Sequence, residues 1–73
     1  MMQAHAEHTG AGVLLSGIAM QSDAENLCSM FRESGVQPAV GTLSYDNRFY
    51  VFLPGLTLEE LRQRTADANL RLV

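Results

Sequence analysis

Few residues in this chain combine a reactive type with a spacing that chemistry requires. His5 and His8 stand three apart with Glu7 between them, and on a helix that spacing would turn two imidazoles toward one metal ion. A structural zinc site takes about four fixed ligands. The one other thiol or imidazole, Cys28, falls on an apolar helical stripe, so no metal site is expected. Cys28 as a nucleophile would need a base and an electropositive setting to form thiolate. Asn26, Leu27, Ser29 and Met30 supply neither, and the residue reads as a small buried hydrophobe. The acid pairs Asp23/Glu25 and Glu59-Glu60 sit in first helical turns, where capping and the helix dipole account for them. Ser16-Gly17 lacks the flanking glycine of a nucleophile elbow. Gly10 and Gly12 precede a strand, whereas phosphate-cradling glycines follow one. The expectation is a protein without catalytic residues, metal or cofactor.

The segment Arg48 to Leu53 (RFYVFL) is aromatic and β-branched and gives the strongest strand signal. Paired around Asp46-Asn47 with Ala39 to Tyr45, it sets Tyr45 opposite Arg48, Leu43 opposite Tyr50 and Gly41 opposite Phe52. Phe49, Val51 and Leu53 share a face with Val40, Thr42 and Ser44. A buried unpaired Arg is costly, so the Phe49/Val51/Leu53 face is assigned to the core. Leu43, Tyr45, Arg48, Tyr50 and Phe52 then face outward as a partner-binding surface. An exposed apolar sheet face marks a protein interface. The expected function is a small non-enzymatic module that regulates, inhibits or assembles with a larger protein, or with a second copy of itself. The same surface resembles in outline the RNA-recognition motif, whose sheet aromatics stack bases, and a nucleic-acid or glycan binder is the alternative reading. The motif's glycine-spaced aromatic string is absent from Arg48-Phe49-Tyr50-Val51-Phe52. With 5 Lys+Arg against 8 Asp+Glu, the chain gains little from counterion release, so nucleic acid is the lesser expectation.

The elements that must carry this surface follow from period and punctuation. Val13 to Met20 is apolar on both sides, as in a central strand. Ser22 and Glu25 form a capping box, Ala24, Leu27, Cys28 and Phe31 make one helical stripe, and Gly35 with Val36 suits the helix end. Thr57 and Glu60 repeat the box, with Leu56 and Leu61 as a staple. Leu58, Leu61, Thr65 and Ala68 form the second stripe, Asn69 caps its end, and Leu70 to Val73 alternates as a short last strand. The expected fold is an α+β ferredoxin-like βαββα(β) sandwich, two helices on one face of a small antiparallel sheet. Residues 24–40, Ala24-Glu25-Asn26-Leu27 through Ser34-Gly35-Val36-Gln37-Pro38-Ala39-Val40, resemble the helix-Gly-strand unit of SPOR-type domains, βαββαβ modules that bind peptidoglycan strands. The likeness covers under a third of the chain and assigns no residue a role.

Length bounds the rest. Seventy-three residues make one domain, and a domain this small buries only about 60% of its unfolded surface. One Cys excludes an internal disulfide, so a partner subunit is the remaining support for a marginal core. Residues 1–12 show no apolar period on this reading and are expected to be a flexible tail ahead of a 13–73 domain. The apolar run from Val13 is too short to span a bilayer and has no basic segment before it. A cytoplasmic location, away from membranes, is the expectation.

Overall fold

The computed structural model describes residues 2–42, 47–66 and 70–72. Its first element is a strand, β1 (Met2–Thr9), where a flexible tail was expected. Met2, Ala4 and Ala6 alternate with Gln3, His5 and Glu7, so one side of the strand is small and apolar and the other polar. Ala4 is buried, and Met2 and Ala6 pack on the core. A two-residue loop, Gly10-Ala11, turns the chain into β2 (Gly12–Ile18). The Thr9 hydroxyl holds that loop. Its Oγ1 accepts from the backbone N–H of Ala11 and Gly12 at 3.2 and 3.1 Å.

β2 is not a regular strand. Its antiparallel pairing with β4 (Phe49–Pro54) runs from Gly12↔Pro54 to Leu15↔Val51, then slips to Ile18↔Phe49. Ser16 and Gly17 together oppose Tyr50, which is a β-bulge, and Gly17 takes φ 73° there. The extra residue reverses the alternation. Strict period two would separate Ile18 from Val13 and Leu15, yet all three are fully buried together.

Helix α1 (Gln21–Glu33) follows, and Ala24, Leu27, Cys28 and Phe31 are its buried residues, as the stripe predicts. Its start differs from the expected capping box. The N-cap is Met20, with no side-chain cap, and Ser22 lies inside the first turn. Its end is a Schellman motif. The Val36 N–H donates to Phe31 and the Gly35 N–H to Arg32, both at 3.0 Å, with Gly35 at φ 87°.

β3 (Ala39–Thr42) pairs antiparallel with β4 through Val40↔Val51 and Gly41↔Tyr50. The expected register is displaced by two residues, which keeps the described residues of β3 and β4 on their expected faces. The Asp46-Asn47 turn lies partly outside the described residues, and Asn47 takes φ 56°. Helix α2 (Leu58–Arg64) begins at a capped Thr57, whose Oγ1 accepts from the Glu60 N–H at 3.1 Å. Leu56 and Leu61 are both buried at that end. Ala68 and Asn69 lie outside the described residues. β5 (Leu70–Leu72) closes the chain and runs parallel to β1.

Among the described residues the sheet order is β3-β4-β2-β1-β5, five strands of mixed direction under two helices. The class is α+β. The expected ferredoxin-like arrangement on a simple antiparallel sheet is corrected: the sheet is mixed, because β1, an element not expected, lies between β2 and β5 and pairs with β5 in parallel. Phe31, Leu27 and Leu61 from the helices share one cluster with Val13, Leu15, Ile18, Val51 and Leu53. Both helices therefore cover the same sheet face. Phe49 is half-buried at the border of that cluster.

Candidate partner-binding face

The opposite sheet face takes its residues from the alternate positions of each strand. Register places Ala39, Phe52, Leu14 and Glu7 side by side across β3, β4, β2 and β1. A second row sets Gly41 beside Tyr50, and Ser16 beside His5. The face thus has an apolar, aromatic corner of Leu14, Tyr50 and Phe52 over β2 and β4, all half-buried. It has a polar half of Gln3, His5 and Glu7 on β1, with Arg71 opposite Gln3 on β5. No described helix packs on this side.

Tyr50 is seated by its neighbour. A side chain at Gly41 would overlap the Tyr50 ring, so the ring lies across the bare Gly41 backbone. Covering a strand glycine with a cross-strand aromatic protects the ladder there. The residue type at Gly41 therefore fixes where the Tyr50 ring can rest.

The five residues expected at the interface divide. Tyr50 and Phe52 lie together on the helix-free face. Leu43 and Tyr45 lie outside the described residues. Arg48 precedes β4, is exposed, and donates from Nη1 to the Gly17 carbonyl at 3.3 Å. It ties the loop before β4 to the bulge in β2. Leu14 belongs to the corner and was not among the expected residues, although its place on the far side of β2 from Val13 and Leu15 follows from period two.

The remaining reactive groups stay apart. His5 and His8 are three apart on a strand, which sends them to opposite faces. Among the described residues no three His, Cys, Asp or Glu side chains converge as metal ligands. Cys28 is 3% exposed, and burial pushes its thiol up from the ordinary range, with Arg32 opposing and Glu25 adding to the shift. No described helix is long and apolar enough to cross a membrane. Comparison with protein families, curated proteins and solved structures finds no match for this chain. What it does must be argued from its own surface.

Proposed function

We propose that the chain is a small protein-binding module that regulates or assembles with a larger protein through the helix-free face of its sheet, centred on Leu14, Tyr50 and Phe52. One observation carries this reading: both helices bury their apolar stripes on one side, which leaves a contiguous aromatic corner on the other. Contiguous apolar surface left partly open to solvent is characteristic of an interface, and tyrosine is among the residue types enriched where binding energy concentrates. The frame is read as a ferredoxin-like core with one inserted strand. Setting β1 aside leaves the order β3-β4-β2-β5 around the same two helices. Acting in the cytoplasm and without catalysis belongs to the same proposal.

The test is capture from host lysate on immobilised wild type, Tyr50→Ala and Phe52→Ala. The expected result is one protein partner held by the wild type and lost by both variants, each of which retains its helical circular dichroism. A partner held equally by all three overturns the reading. A nucleic acid in its place, released steeply by salt, would move the face to the alternative class.

A further inference from the structure

A second surface lies at the sheet edge, away from the aromatic corner. Among the described residues β3 is the outer strand on its side and leaves one row of backbone N–H and C=O groups without a strand partner. Edges are normally blunted by charge, proline or a bulge. β3 reads Ala39-Val40-Gly41-Thr42, and its pairing with β4 has no register shift. Val40 is 45% exposed, one of the large apolar side chains left open to solvent. The other edge, β5, is shorter and carries Arg71.

Beside β3 runs a groove of about 430 Å3, lined by Val40 and by Glu25, Cys28, Ser29 and Arg32 of α1. The four helix residues are spaced i, i+3, i+4 and i+7, so they form one face turned to the edge. Their charges are antisymmetric: an acid at one end, a base at the other, and Cys28/Ser29 at the centre, with Val40 lining the same groove. No ion pair engages Glu25 or Arg32 among the described residues; Glu25 accepts only from the Gln21 amide at 3.2 Å.

This pattern fits one occupant. We propose that the chain forms a two-fold homodimer by antiparallel pairing of the β3 edges, with Glu25 of each copy meeting Arg32 of the other. β2 and β3 both run antiparallel to β4, so they are parallel to each other, and α1 returns between them in the opposite direction. A two-fold axis at the level of Val40 therefore reverses strand and helix together. It brings the second copy's α1 alongside the first, head to tail, and the antisymmetric charges meet their opposites twice. With strands about 4.8 Å apart and α1 seated over β4 and β3, the helix axes come to roughly 10–14 Å. Facing Glu and Arg side chains span that gap. An interface between identical copies must be self-complementary, and this face is. An unrelated strand could satisfy the β3 backbone but has no reason to match the charge order. The result is a continuous ten-stranded sheet, which supplies the partner subunit that a core of this size lacks. The inference uses none of Leu14, Tyr50 or Phe52 and stands apart from the open-face reading.

Sedimentation equilibrium over a concentration series tests it on the wild type, Glu25→Arg, Arg32→Glu and the double swap. The wild type is expected to be a dimer. Each single reversal juxtaposes like charges twice and should weaken dimerisation roughly tenfold or more. The swap restores the pairing and should recover affinity to within about threefold of wild type. Reversing Arg32 also sets an acid at the negative end of α1, so circular dichroism accompanies each sample. If a reversal unfolds the chain, Glu25→Gln and Arg32→Gln carry the test, each expected to weaken the dimer. A monomeric wild type, a dimer indifferent to either charge, or a swap as weak as the singles overturns the proposal.

Discussion

Gly12 stands where the β1–β2 hairpin meets the end of β4, and its φ is 155°. A Cβ there would run into the Leu53 carbonyl and lie 2.9 Å from the Gly55 nitrogen and the Pro54 Cα. These are backbone atoms, so relief requires moving β4 or the turn after it. That turn is tied to the hairpin by the Gly55 N–H donating to Ala11 at 2.8 Å. Overpacking costs about 1–3 kcal/mol, and a lost hydrogen bond adds about 1. Gly12→Ala should therefore lower stability by about 2–4 kcal/mol, against about 5 at the low end for a domain of this kind. Gly10, two residues earlier, has nothing within 4 Å of its would-be Cβ, and Gly10→Ala should change stability by less than about 0.5 kcal/mol. Urea midpoints of the two variants make the comparison. Equal losses would mean the hairpin is not docked on β4 as described. The sequence marks Gly12 as a strand boundary, but the crowding comes from Leu53, Pro54 and Gly55, far along the chain, and carries no local sign.

At the scale of elements, both helices were legible from their stripes: Ala24/Leu27/Cys28/Phe31 is buried in α1, and Leu61 of α2 and Thr65 just after it are buried beside the half-buried Leu58, the stripe's Ala68 lying outside the described residues. The face assignment of β4 was legible too, since period two fixes which side Val51 and Leu53 share. The pairing offset was not. Parity survives a two-residue slip, and turn residues suit more than one loop length. The bulge at Ser16-Gly17 also escaped, because a glycine in a strand signals a break without saying which side gains a residue. β1 was missed for a different reason. Its core-facing positions are the buried Ala4 and the half-buried Ala6 and Met2, and alanine adds so little hydrophobic contrast that the alternation reads as polar. Yet β1 joins β2 to β5. Deleting residues 1–11 should expose the flank of β2, strand β5 and abolish the cooperative melting transition. Ala4→Asp, which buries a carboxyl at a site 1% exposed, should destabilise nearly as much without shortening the chain. Melting curves for both check it. A deletion that melts within a few degrees of wild type would return β1 to the status of a tail.

At the scale of the whole molecule, the described residues form one apolar cluster to which α1, α2, β1, β2 and β4 all contribute. With so little core, no part can open far without the rest, so unfolding should be cooperative. Cys28 reports on this because it lies inside the cluster, 3% exposed, on the α1 face that also floors the β3 groove. Only thiolate reacts, and burial disfavours it. A thiol reagent near neutral pH should therefore label Cys28 at the rate expected for an unfolded thiol multiplied by the globally unfolded fraction. That rate should rise with urea at the slope of the equilibrium transition. Fast labelling independent of urea would show that α1 lifts from β3 locally. The same thiol sets a pH dependence whose sign is fixed. Its folded value is raised, so the folded chain holds the proton more tightly than the unfolded one. That contribution is whole below the ordinary thiol range, about 8.5, and is lost as pH climbs through the raised value. Wild-type stability should fall between about pH 7 and about pH 10, and Cys28→Ala should fall less over the same interval. Urea midpoints at the two pH values give the difference. Equal losses in both chains would place the alkaline sensitivity on another group and remove Cys28 from the buried core.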